Sequence, residues 1–140
     1  DVRATVLACA GLNRLGLTVP GFALPLNDFL PAVAQGAISI ECRQGDPPML
    51  AVLSKLNHRE TNIAVRCERA FLKVLDGSCR TPISGYARID GNKITLNGLV
   101  ARPDGSEYHA DKAIGDISEP EQLGIQLGNT LLARMGKGFF

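Results

Sequence analysis

Among the side chains able to do chemistry, the cysteine in "LDGSCRTPISGY", residues 75–86, stands apart. Cys79 lies between Ser78 and Arg80, after a glycine turn and before Pro82, in a stretch with no helical or strand period. A thiolate is the nucleophilic form of cysteine, and a neighbouring cation with solvent access stabilises it. The chemistry open to it is addition to an electrophilic carbon or thiol redox exchange. No nearby histidine or aspartate completes a triad, so a cysteine–histidine hydrolase is unsupported. The other three of the four cysteines, Cys9, Cys42 and Cys67, fall in apolar or periodic stretches and are expected to be buried core thiols. Buried Cys67 would make a poor resolving partner for Cys79, which weakens a redox reading. There is no CxxC pair and only two histidines, His58 and His109, so no metal site is expected. His58 is placed at a helix entry and His109 on an exposed strand position.

The elements that must position Cys79 follow from periodicity. Residues 6–15 predict a short apolar strand running into a helical turn, with Gly16 as its cap. Residues 17–36 carry Pro20, Pro25 and Pro31 with Gly21 and Gly36, an irregular connection. In residues 37–43, Ile38, Ile40 and Cys42 alternate with Ser39, Glu41 and Arg43, the period of a half-buried strand. A turn at residues 45–48 opens a helix to about residue 55. A second helix spans residues 61–75 with an apolar stripe of Ile63, Cys67, Ala70, Phe71 and Val74, stopped by Asp76 and Gly77. Three strands follow, residues 83–89, 93–101 and 107–114, joined by turns at Asp90-Gly91-Asn92 and Pro103-Asp104-Gly105. Ser118 and Glu121 predict a capping box for a last helix to about Met135, stopped by Gly136. Asp28 and Asp46 are read as turn residues, like Asp104. Residues 58–135 thus form a self-sufficient α+β unit, whereas the first third lacks partners for its elements.

Composition narrows the partners. The chain has 140 residues, 45% of them hydrophobic, enough for one compact domain or two small ones. A formal net charge of +1 argues against nucleic acid or a membrane surface as partner. No apolar run is long enough to span a bilayer. The start lacks both Met and the basic, then apolar, pattern of a signal peptide, which suggests a piece of a longer protein.

Five blocks together resemble the porphobilinogen deaminase (hydroxymethylbilane synthase) family: "LACAGLNRLGL" at 7–17, "LPAVAQGAISIECR" at 30–43, "LNHRET" at 56–61, "ERAFL" at 68–72 and "LDGSCRTPISGYA" at 75–87. They stand in the family's order, and "DGSCRTPI" with the ending "GKGFF" is similar to plant, plastid-type members. The resemblance implies a three-domain fold mixing α/β and α+β architecture, of which this chain holds the second half. Residues 1–36 would end domain two and form the crossover, residues 37–56 would return to domain one as a strand and helix, and residues 57–140 would be the cofactor-bearing domain three, a three-stranded antiparallel sheet with helices.

The resemblance also implies an activity: four porphobilinogen molecules are joined head to tail, releasing ammonia, into hydroxymethylbilane. The family's dipyrromethane cofactor is held by a thioether to the "GSC" cysteine, here Cys79. Arg14 matches a family arginine that pairs with substrate and cofactor carboxylates, a task suited to a planar guanidinium. Gln35 and Gly36 match crossover positions that contact the pyrrole rings. Glu68 and Arg69 also match, and are read as structural charges. The family's proton-transfer carboxylate belongs to its first half and no aspartate here matches it, so this chain alone is expected not to polymerise porphobilinogen. The implied partners are porphobilinogen and the N-terminal half of the same enzyme, with no nucleic acid and no membrane; the complete protein would be a soluble monomer of the plastid stroma or cytoplasm. The alternative is a two-lobed binding module for a small carboxylate, which leaves "GSCRTP" and the C-terminal unit without a use.

Overall fold

The computed structural model describes residues 3–77 and 81–140. Four helices, α1 (Cys9–Leu15), α2 (Pro47–Ser54), α3 (Arg59–Val74) and α4 (Pro120–Arg134), and three strands, β1 (Ile83–Asp90), β2 (Lys93–Ala101) and β3 (Tyr108–Asp116), follow in the order α1, α2, α3, β1, β2, β3, α4. The strands form an antiparallel meander in chain order. Gly91 and Gly105 take the left-handed conformation in the turns between them, at φ 57° and 74°.

Helices α3 and α4 cover one face of the sheet. That face carries Ile83 and Ala87 of β1 and Ile94, Leu96 and Val100 of β2, all buried. Phe71 of α3 is the centre of this core. It lies over Gly85 and Gly98, which face each other across β1 and β2. A Cβ on Gly98 would stand 2.8 Å from Phe71 Cζ, and one on Gly85 would stand 3.3 Å from Phe71 Cδ1. Two paired glycines therefore hollow the sheet to accept one ring. Leu127 and Leu131 of α4 complete the cluster.

The two long helices touch closely because α4 presents Gly124 and Gly128. A Cβ on Gly124 would fall 2.2 Å from the carbonyl oxygen of Cys67. Arg66 and Glu121 pair across the same interface, and Arg134 ties α4 to Asp111 on β3. The chain end folds back, with Arg102 over the Phe139 ring at 5.0 Å.

The first 56 residues behave differently. Helix α1 ends as expected, with Gly16 left-handed at φ 63° and the Leu17 N–H donating to the Leu12 carbonyl. The strand expected before it does not form. The strand expected at residues 37–43 is likewise irregular. Its alternation has nothing to bury against: Ile38 is 93% exposed, and no neighbouring strand offers an edge among the described residues. For the same reason Cys9 and Cys42 are exposed rather than core thiols, while Cys67 is buried. Among the described residues neither α1 nor α2 packs against another element.

Four further expectations are corrected. Asp46 is more than a turn residue: it caps α2, accepting the Met49 N–H at 3.1 Å. The capping box at Ser118 and Glu121 does not form. Pro120 opens α4 at its first turn after Glu119, which leaves Ser118 too early to cap. Its hydroxyl donates instead to Asp116, and Glu121 pairs with Arg66. Met135, in extended conformation, rather than Gly136, ends that helix. His109 is half-buried, stacked on Phe139 at 5.3 Å; its Nε2 lies 3.2 Å from Glu107 without hydrogen-bonding geometry. His58 is the N-cap of α3, as its position suggested, and accepts the Thr61 N–H.

Candidate functional site

A cavity of about 410 Å3 lies between the first half of α3, the outer edge of β1 and residues 31–37. It is the place where the irregular first third meets the packed C-terminal unit. The strap of residues 31–37 is held by several bonds. Ala32 forms a bridge to Ser84, and the Gly85 N–H donates to the Pro31 carbonyl at 3.1 Å. Val33 packs over Gly85, where a Cβ would meet Val33 Cγ2 at 3.0 Å. Two tight turns then close, from the Gln35 N–H to Ala32 and from the Ala37 N–H to Ala34. They require left-handed backbone at Ala34, φ 57°, and at Gly36, φ 80°.

Glu68 stands under this strap and is 5% exposed. Its Oε2 accepts the Ala34 N–H at 2.7 Å and its Oε1 accepts the Ala87 N–H at 2.8 Å. Burial pushes its carboxyl above the usual range, and the two backbone donors pull it only part of the way back. Both oxygens are taken, so its chemistry is that of a clamp. Next to it, burial drives the Cys67 thiol up to about 12, with Glu68 and Glu121 adding to the effect. Cys67 is therefore an inert core thiol at physiological pH.

Gln35 and Gly36 line the cavity together with Tyr86 and Arg88 of β1. Tyr86 and Arg88 also border a second hollow of about 560 Å3 on the open face of the sheet, closed by Leu26 and Leu30. Arg88 is exposed and offers a guanidinium to an anionic group entering either space. Arg14 sits in the last turn of α1, exposed, and lines neither of them. Cys79 lies outside the described residues. Its flanks are described: Gly77 closes α3 by donating to the Leu72 carbonyl, and a Cβ there would fall 2.5 Å from Ile83 Cδ1. That turn stands at the end of α3 opposite the cavity's helix-entry residues, His58 and Thr61. The structure thus brings Gln35 and Gly36 together and leaves Arg14 apart. Among the described residues no cluster of three or more His, Cys, Asp or Glu stands together as metal ligands.

Arg88 escaped the sequence reading, and Glu68, read as a structural charge, was not expected to be buried. Arg88 has no distinguishing pattern. Glu68 had one: residues at i−4, i+3 and i+7 from it are Ala64, Phe71 and Leu75, so it occupies the apolar stripe of its helix.

Residues 62–133 match the family model described as porphobilinogen deaminase, C-terminal domain. Residues 1–51 match the model described as porphobilinogen deaminase, dipyromethane cofactor binding domain. The chain is 51% identical over 144 aligned residues to "porphobilinogen deaminase, chloroplastic" of Pisum sativum, covering 99% of this chain and 39% of that relative. It is 48% identical over 145 residues to the protein of the same name from Oryza sativa subsp. japonica, covering all of this chain and 40% of the relative.

Proposed function

The chain belongs to the porphobilinogen deaminase family, and from that premise we propose that the protein of which it is a part condenses four porphobilinogen molecules head to tail into hydroxymethylbilane, releasing ammonia at each step. The observation that carries this reading is the match of both family models, in order, to a chain spanning about two-fifths of its relatives' length. We assign residues 1–36 to the end of domain two and the crossover, 37–56 to a return into domain one, and 57–140 to domain three. Packing supports this division, since the core gathers residues from 63 onward.

Cys79 is the proposed attachment point for a dipyrromethane. Its thiolate adds to the methylene carbon of a pyrrole that has lost ammonia, forming a thioether. When bound, that group supplies the anchored pyrrole chain to which porphobilinogen is added. The donors around the strap suit such a group: an amide at Gln35, a guanidinium at Arg88 and a backbone at Gly36 that approaches a ring without a side chain in the way. Arg14 is proposed to pair with acetate or propionate carboxylates once the remainder of the family fold holds α1. The proton-transfer carboxylate is proposed to lie in the first half of the enzyme, the chain's partner, so the chain alone should not consume porphobilinogen. The chloroplastic names of its relatives support a plastid location.

Intact-mass spectrometry of the protein made in a porphobilinogen-producing host tests the central assignment. An added mass of two linked pyrroles on the peptide holding Cys79, absent in Cys79→Ser, is the expected result. An unmodified wild-type protein that also fails to consume porphobilinogen when joined with its first half would overturn it.

A further inference from the structure

Strand β1 is an edge strand, and its outward N–H groups need partners. The strap supplies one for Gly85, through the Pro31 carbonyl. Two residues further along, where the next outward donor is Ala87, the strap has already turned away. The Glu68 carboxylate takes the place of the missing strand carbonyl, accepting the Ala87 N–H on one oxygen and the Ala34 N–H on the other. Ala34 is the residue whose left-handed backbone carries the strap out of the sheet edge. Such a conformation is costly for a residue with a Cβ and persists where its surroundings fix it. Here they do so twice, through Glu68 at Ala34 and through Val33 seated over Gly85.

We infer that Glu68 is a positioning residue: its carboxylate fastens the 31–37 strap to the C-terminal unit, so that Gln35 and Gly36 are presented at the cavity as part of the same rigid body as α3 and β1. The consequence for turnover rests on the function proposed above; the fastening itself does not. A carboxylate suits this place because its two oxygens accept from donors on separate segments and it presents no donor of its own. In Glu68→Gln one acceptor remains and an NH2 group faces a backbone N–H, so one strut is lost with little change of volume.

The test uses the full-length protein and reads hydrogen exchange beside steady-state kinetics. In Glu68→Gln, exchange at Ala34, Ala37 and Ala87 should rise about tenfold, the ratio matching one hydrogen bond's net contribution, while the interiors of β2, β3 and α4 stay within about twofold of wild type. Porphobilinogen turnover should fall in kcat by about tenfold, with the mass at Cys79 unchanged. Val33→Ala loosens the strap and spares Glu68; it should give the same local signature, and the double variant should show less than the sum of the two effects. Unchanged exchange at the strap overturns the inference, as does a rise spread evenly over β2, β3 and α4, or strict additivity of the two variants. If Glu68→Gln does not fold, the exchange pattern of Val33→Ala decides. If the wild type itself leaves porphobilinogen unused, the proposed function falls and the fastening is judged on exchange alone.

Discussion

Two neighbours on α3 show how position decides what a side chain does. Cys67 is fully buried, and its thiol is pushed up to about 12 by that burial. It should resist alkylation in the native chain at neutral pH and react only as the chain unfolds, whereas exposed Cys9 and Cys42 should label at once; mass-resolved labelling with a maleimide reads all three. Glu68 answers a different test. Its truncation, Glu68→Ala, leaves the Ala34 and Ala87 N–H groups without acceptors and should lower stability by about 2–4 kcal/mol in urea unfolding. Its titration has a sign. Burial raises the folded-state carboxyl above 4.5, so the folded chain holds that proton more tightly than the unfolded one. The stability this gives is present below the ordinary value and is lost as pH rises through the raised one. Asp104, Glu107, Asp111 and Asp116, held low chiefly by hydrogen bonds from Ser106, Arg102, Lys112 and Ser118, act in the opposite sense and lose stability as pH falls. Glu68→Gln should therefore remove a decline in stability just above pH 4.5 that wild type shows, and urea midpoints taken across that range compare the two slopes. None of this was visible in the composition of the helix. Cys67 was placed in the core by its spacing from Ile63 and Phe71; Glu68 was read only as a structural charge of the helix, without its burial or its two partners, although its neighbours at i−4 and i+3 are apolar.

At the scale of elements, legibility followed packing. The meander was readable because each of its strands finds a partner, and β2 runs over the residues its alternation predicts. Residues 37–43 alternate just as cleanly and form no strand, since a strand's hydrogen bonds and its apolar face both come from other segments. Helix ends were less readable, as Ser118 shows: Pro120 fixed the start of α4 before any hydroxyl could cap it. The approach of α3 and α4 was not legible at all, because glycine in a helix usually signals weakness rather than contact. The contact is testable. Gly124→Ala gains about 1 kcal/mol of helix propensity, yet its Cβ would lie 2.2 Å from the Cys67 carbonyl oxygen and 2.9 Å from Ala70 Cβ. Backbone cannot swing aside, so the helices must part and uncover Phe71 and Leu127. The variant should be about 2 kcal/mol less stable than wild type in net terms, and a stabilised Gly124→Ala protein would mean that the two helices are not in this contact.

At the scale of the molecule, burial changes near residue 57. Beyond it, large apolar side chains converge on Phe71 and Leu96; before it, Val6, Leu15, Phe22, Phe29 and Ile38 are all more than half exposed. Hydrophobic burial is the main source of folding free energy, and a segment that buries little cannot hold its amides closed. Among the described residues the strap, at residues 31–37, carries the hydrogen bonds from this part of the chain to the C-terminal unit, with Leu26 and Leu30 bordering the sheet beside it. Three classes of amide should follow in the 140-residue chain. Those of residues 3–30 and 38–57 should exchange at nearly the rate of an unstructured peptide. Ile94, Leu96, Val100, Leu127 and Leu131 should exchange only through global unfolding. Ala34, Gly85 and Ala87 should fall between, limited by release of the strap. Addition of the family's first half in trans should slow the first class, since a partner that binds only the ordered form stabilises it by mass action, and leave the second class ordered as before. Slow exchange throughout residues 3–30 in the isolated chain would show that this segment has a core of its own, and would remove the reason for dividing the chain where the packing changes.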